Sequence, residues 1–175
     1  MTWKSFHHRG EILRSVIATA DVRRDGNLPM DVDGVTATFG DELTLLAALQ
    51  LKWHTRLAGH IERQLMTQPL GLERAVVTAW GEAADELPGV RDILDHYAAD
   101  PLDDAMANAM VKARGKEHTL LALMAGQANV QDATAARSGA RIEATARHAR
   151  LGVPTLTAAT PRQSLLERLK AVVAA

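Results

Sequence analysis

The sequence predicts an all-α protein, a compact helical bundle of four longer helices plus two or three short ones. Apolar residues recur at three- and four-residue steps along most of the chain, whereas the alternation of Val, Ile or Thr with polar residues that indicates strands is nearly absent. Gly, Pro and Asp separate the periodic stretches into seven candidate helical segments. We expect residues 1–175 to form one domain, because this length suits a single hydrophobic core.

The first predicted helix covers about residues 2–21 and ends before a turn. The turn, residues 25–29, reads Asp-Gly-Asn-Leu-Pro, in which glycine can supply a positive φ and proline blocks continuation of a helix. Residues 20–40 are therefore predicted to be an irregular connection. Within it, residues 35–39 fit either a short helix or an extended piece lying on the bundle.

The second main helix, about residues 41–66, is the best-specified element. Asp41 is a suitable N-cap, because its carboxylate can accept hydrogen bonds from the unpaired N–H groups of the first turn. Large apolar side chains recur at helical spacing, namely Leu46, Leu49, Trp53, Leu57 and Ile61. At ~1.5 Å per residue this helix spans roughly 40 Å, so we expect it to be central.

The second half of the chain alternates short and long helices. Short helices are expected after Gly71 and from Val90, where they would form a connection across one end of the bundle. The remaining long helices are predicted over residues 102–125 and 132–151, with Asp132 as a possible cap of the latter. Residues 152–160 form a linker to a C-terminal amphipathic helix, which begins at a Thr-Pro pair and carries Leu165, Leu166, Leu169 and Val172.

Composition excludes several classes of site. With no cysteine, the chain has neither a disulfide framework nor a thiolate metal site, which fits a reducing compartment such as the cytoplasm. The net charge of −1 provides no global attraction to nucleic acid, and no stretch approaches the ~20 apolar residues of a membrane span. Phosphate-loop, dinucleotide-binding and nucleophile-elbow motifs are absent, so no cofactor is implied and we lean away from an enzyme.

Polar residues interrupt the apolar stripes of two helices. Gln50 and His54 share a stripe with Leu46 and Leu57, and Glu117 lies in the middle of a stripe that contains Met110. A carboxylate at such a position loses hydration, which is costly unless it is paired or protonated. His54 and Glu117 are therefore candidates for a buried pocket, as an acid–base pair or as metal ligands. The simpler alternative is a structural hydrogen bond.

A second candidate site lies near the N-terminus. His7, His8 and Glu11 have spacings of three and four residues, which place them on one helix face where they could share a divalent metal. The chain lacks both the Glu-x-x-His motif of helical di-iron proteins and the His-Glu-x-x-His motif of zinc proteases. Adjacent histidines near a terminus are also commonly solvated.

A third candidate is the basic segment from Arg137 to Arg150, which covers most of the predicted 132–151 helix. Arg137, Arg141, Arg147 and Arg150 occur there with a single acidic residue, Glu143. Such a helix could contact the phosphates of a nucleic acid, although solvated arginines are common and no aromatic residue is interleaved.

Methionines on the 102–125 helix suggest a protein partner. Met106, Met110 and Met124 have flexible, polarizable side chains that suit an adaptable interface, although methionine also fills cores. Our leading functional hypothesis is a non-enzymatic interaction or regulatory protein that forms a homodimer. The alternatives are a metal- or small-ligand-binding bundle that uses His54 and Glu117, and a nucleic-acid-binding protein that uses the basic helix.

Overall fold

A computed structural model describes residues 3–129 and 134–152, with side chains from residue 8 onward. This part of the chain folds into helices connected by short turns, and the all-α prediction is confirmed. The helices are α1 (Trp3–Arg23), α2 (Val35–Phe39), α3 (Glu42–Thr67), α4 (Leu72–Glu86), α5 (Pro88–Ala99), α6 (Asp104–Met124) and α7 (Ala135–Arg150). The predicted cap Asp132, most of the 152–160 linker and the C-terminal helix lie outside the described residues.

Local side-chain chemistry sets the beginnings of three helices. Asp41 has extended backbone angles, and its side chain accepts a hydrogen bond of 2.7 Å from the backbone N–H of Thr44, so the predicted N-cap is confirmed. Asp103 caps α6 in the same way. Pro88 occupies the first turn of α5, where its missing N–H is harmless.

The open question over residues 35–39 is answered by a short helix. Gly34, with φ of 82°, turns the chain into α2, and Val35 and Phe39 are buried in the core. The left-handed backbone conformation at this turn favours glycine, which has no Cβ to clash.

The helices pack in pairs around an aliphatic core that encloses two tryptophans. α3 packs along α4, α6 along α7, and α1 along α5. Trp53 of α3 and Trp80 of α4 are fully buried and meet edge to face, with ring centroids 5.7 Å apart. The expectation that the helix after Gly71 merely crosses one end of the bundle was wrong, because α4 buries a full apolar face against both α3 and α7.

The α6–α7 pair is packed so closely that one position requires glycine. A Cβ at Gly139 of α7 would lie 1.9 Å from the main-chain oxygen of His118 in α6. The absence of a side chain therefore sets the distance between these two helices, and it brings polar groups of α7 within reach of α6.

Within the described residues, no helix is both long enough and apolar enough to cross a membrane.

Candidate functional site

A buried carboxylate lies between the two core tryptophans. Glu117 of α6 is 3% exposed, and its two oxygens accept hydrogen bonds of 3.0 Å each from the indole N–H groups of Trp53 and Trp80. Burial of a carboxylate is tolerated when hydrogen bonds replace its hydration. The prediction that Glu117 lies in the middle of the buried stripe of α6 is confirmed.

Arg91 of α5 is the cation closest to Glu117. The guanidinium lies 4.7 Å from the ring centroid of Trp53, its Nη1 is 3.6 Å from Glu117, and its Nη2 donates to Asp95 at 2.8 Å. The residue is 7% exposed, and its Nε and Nη1 are buried without an acceptor among the described protein atoms. Buried arginine N–H groups without an oxygen acceptor are rare, because the lost hydration is not replaced.

Arg147 of α7 extends the same charged cluster. It donates two hydrogen bonds of 2.7 Å to Asp95 and further bonds of 2.6–2.8 Å to Glu143, while His118 lies 2.6 Å from the other oxygen of Glu143. Burial opposes the charged form of Glu143, but hydrogen bonds from His118 and Arg147 outweigh it and lower the pKa of Glu143 to about 2. Burial also opposes the charged form of Asp95, but the hydrogen bond from Arg147 outweighs this effect and lowers the pKa of Asp95.

Two adjoining depressions open beside this cluster. The first is an apolar groove of about 150 Å³ between α3 and α6, lined by Leu43, Leu46, Ala47, Gln50, Ala109, Met110 and Ala113. The second is a polar pocket with only about 10 Å³ of free space, lined by Gln50, Arg91, Asp95, Ala98, Met110, Arg114, Glu117 and Glu143. Gln50 and Met110 border both depressions, so the groove leads toward Arg91.

The structure places the predicted pocket residues at different depths. Gln50 and His54 are half-buried, as the stripe of α3 predicts, and Gln50 borders both depressions. Burial lowers the pKa of His54, and the nearby charge of Glu117 partly opposes that effect. The hydrogen bonds that Glu117 accepts come from the indoles of Trp53 and Trp80. Its role as an acid–base partner of His54 stays a prediction.

The cluster also contains residues that sequence reasoning did not single out as polar partners. Arg91 with Asp95, and Glu143 with Arg147, are spaced four residues apart on one helix, which is the spacing of a favourable ion pair. This spacing was visible in the sequence. It could not show that both pairs lie in one cluster, in which Arg147 of the second pair also binds Asp95 of the first.

The predicted N-terminal metal residues lie apart from this cluster. His8 and Glu11 are exposed on α1, and the side chain of His7 lies outside the described residues. Where side chains are described, no group of three or more histidine and acidic residues is arranged to hold a metal ion. The metal hypothesis for His7, His8 and Glu11 stays a prediction.

His60 of α3 has a role that spacing within one helix could not reveal. The structure buries it against α4. Its Nδ1 lies 2.9 Å from Glu82 and its Nε2 lies 2.8 Å from Glu86. The hydrogen bond from His60 lowers the pKa of Glu86. This contact joins α3 to α4.

The arginines of α7 do not form one basic face. Arg147 turns toward Asp95 and Glu143, which corrects its assignment to a phosphate-binding surface. Arg150 pairs with Asp85 at 2.9 Å, and Arg141 donates to Gln127. The reason is angular: at about 100° per residue, position 150 lies on the side of the helix opposite positions 137 and 141, and position 147 is turned from them by about 80–120°.

The methionines of α6 fill the core of this chain. Met106 and Met110 are 2% and 7% exposed, and Met124 is partly buried against the same core. Met106 is therefore not available as an adaptable surface for a partner, and Met110 only borders the groove between α3 and α6, which corrects that part of the interaction hypothesis.

The chain was also compared with known proteins. No protein-family model, curated protein or solved structure matches it.

Proposed function

We propose that this protein binds a small, partly apolar organic molecule in the groove between α3 and α6. The observation that carries the proposal is the position of Arg91, whose buried Nε and Nη1 lack a protein acceptor and which lines the polar pocket at the end of that groove. Ligand sites commonly combine an apolar wall with a few such convergent polar groups. The groove meets this description, because Leu43, Leu46 and Met110 form its wall and Gln50 borders both depressions.

The size of the groove limits the ligand. A dry apolar cavity of about 150 Å³ is large enough to hold benzene, and the groove has about this volume. The bound apolar part is therefore a single ring or a short branched chain. A fragment of nine non-hydrogen atoms that gains at least about 0.3 kcal/mol per atom would bind with a Kd of about 10 mM or tighter.

Binding of benzoate and of the neutral, water-soluble probe benzyl alcohol can be followed by NMR. We expect saturable shifts of the backbone amide signals of Ala109 and Ala113, and of the indole N–H signals of Trp53 and Trp80. Ala109→Leu fills the groove and is expected to abolish the shifts. Ala105→Leu makes the same change at an exposed position of α6 and should leave them unchanged. Absence of any saturable shift up to about 20 mM would refute the proposal.

A homodimer is the second proposal, and a different groove supports it. Leu13 of α1 and Ala47, Ala48 and Leu51 of α3 line an apolar depression of about 430 Å³, and Leu51 is 69% exposed. Exposed apolar surface of this kind favours association. We expect a dimer in sedimentation experiments at micromolar concentration and a monomer for Leu51→Glu. A monomeric wild-type protein would eliminate this proposal.

The cytoplasm stays the proposed compartment, on the cysteine count alone.

A further inference from the structure

In the described part of the chain, the buried side-chain atoms that lack a hydrogen-bond partner are donors, Nε and Nη1 of Arg91. Every carboxylate oxygen of the cluster already accepts at least one hydrogen bond: those of Glu117 from two indoles, those of Asp95 from Arg91 and Arg147, and those of Glu143 from His118 and Arg147. An incoming acceptor would therefore satisfy donors that have no partner, whereas the carboxylate oxygens have partners already.

Three side chains around the pocket have donors to offer. Arg91 has its buried Nε and Nη1. The Arg114 guanidinium is 57% exposed, and its ion-pair contact with Glu143, at 3.8 Å, is longer than a hydrogen bond. The half-buried amide of Gln50 borders both the groove and the pocket. These groups favour a ligand whose polar end is a hydrogen-bond acceptor.

The charge balance permits that acceptor to be an anion. Two arginines and three carboxylates line the pocket, namely Arg91, Arg114, Asp95, Glu117 and Glu143. Arg147 lies behind this lining and binds Asp95 and Glu143, so the whole cluster carries no net negative charge. Arg114 is the most exposed cation of the cluster, with a side-chain exposure of 57% against 33% for Arg147.

The free volume of the polar pocket restricts the anion further. About 10 Å³ holds roughly one water-sized atom. A carboxylate can place a single oxygen in this space while its second oxygen stays near Arg114. A phosphate monoester would bring a second negative charge to a pocket lined by Asp95, Glu117 and Glu143, so the singly charged carboxylate is favoured.

We propose that the ligand is a monocarboxylic acid with a small apolar group, which lies in the α3–α6 groove while its carboxylate binds Arg91 and Arg114. This inference rests on the proposed function, and it adds the chemical class of the ligand. Arg91 supplies the buried donor at the end of the site, and Arg114 supplies the charge that attracts the acid.

The test compares benzoate with benzyl alcohol, which has the same ring and no charge, in three proteins. In the wild type we expect benzoate to bind about tenfold or more tightly than benzyl alcohol, as hydrogen bonds to charged groups allow. Arg114→Gln should remove this advantage and leave the binding of benzyl alcohol unchanged. Lys112→Gln removes the same charge from an exposed position of α6 and should change neither affinity.

The possible failures of the two proposals are distinguishable. If neither benzoate nor benzyl alcohol binds, the groove is not a ligand site and the proposed function fails. If benzyl alcohol binds as tightly as benzoate, or if Arg114→Gln leaves benzoate binding unchanged, the groove is a site but the carboxylate assignment is overturned. An equal loss of benzoate affinity in Arg114→Gln and Lys112→Gln would also overturn the assignment. In that case the attraction of the anion to any nearby positive charge would explain the preference for benzoate.

Discussion

Replacement of Glu117 by glutamine tests whether a charged carboxylate holds the two tryptophans together. Glutamine has nearly the same shape, but only its oxygen can accept a hydrogen bond. One of the two indoles, Trp53 or Trp80, would then face the amide NH₂ group, donor against donor. The change also removes the negative charge that lies 3.6 Å from the buried guanidinium of Arg91.

The expected loss of stability follows from these contacts. Loss of one partner of a buried ion pair costs about 3–5 kcal/mol, and a buried donor left without an acceptor costs about 1–3 kcal/mol. Arg91 keeps its hydrogen bond to Asp95 and its stacking on Trp53, so the lower end applies. We expect Glu117→Gln to lower the free energy of unfolding by about 3 kcal/mol, which for a chain of this length lowers Tm by about 6–12 °C.

Thermal and urea unfolding should be followed by far-UV circular dichroism, because the helical signal does not depend on the indoles. Glu62→Gln makes the same chemical change at an exposed position of α3 and should alter stability by less than about 0.5 kcal/mol. In a protein that already carries Trp80→Phe, Glu117→Gln should lower the free energy of unfolding by about 1 kcal/mol less than in the wild type, because the indole donor of Trp80 is already absent. A loss below about 1 kcal/mol for Glu117→Gln alone would refute the assigned role of this carboxylate.

Three further predictions concern stability. Gly139→Ala should lower the free energy of unfolding by about 3 kcal/mol or more in urea, because the new Cβ would lie 1.9 Å from the backbone of α6. The control Gly115→Ala adds a Cβ that meets nothing within 4 Å, so it should instead stabilise the protein by about 0.5–1 kcal/mol. Since the pKa of Glu143 is lowered to about 2 from 4.5, its contribution is complete above pH 4.5 and is lost as the pH falls toward 2. Unfolding measured against pH should therefore show a smaller acid-induced loss of stability in Glu143→Gln than in the wild type. Asp41→Ala removes the acceptor for the backbone N–H of Thr44 and should lower the free energy of unfolding by about 1 kcal/mol. A thermal unfolding midpoint equal to that of the wild type would exclude the capping role of Asp41.

The sequence alone predicted the helices and the depth of several side chains within them. Helix beginnings follow from short-range chemistry, as at Asp41, whose side chain bonds a backbone N–H three residues away. The helical repeat likewise places Glu117 in the middle of the stripe of α6 and Gln50 and His54 at half-buried positions along the stripe of α3. Each of these properties depends on neighbours within one or two turns, so it can be read along the chain.

What each buried group faces was decided only by the tertiary structure. The hydrogen-bond donors to Glu117 are 64 and 37 residues away in the chain, and the second carboxylate that binds Arg147 is 52 residues away. A helical repeat shows which side of a helix is inside, but it carries no information about which helix lies opposite. For the same reason the sequence suggested a basic surface that includes Arg147, whereas in the fold this side chain binds Asp95. The unpaired donors of Arg91 likewise become visible only in the folded chain.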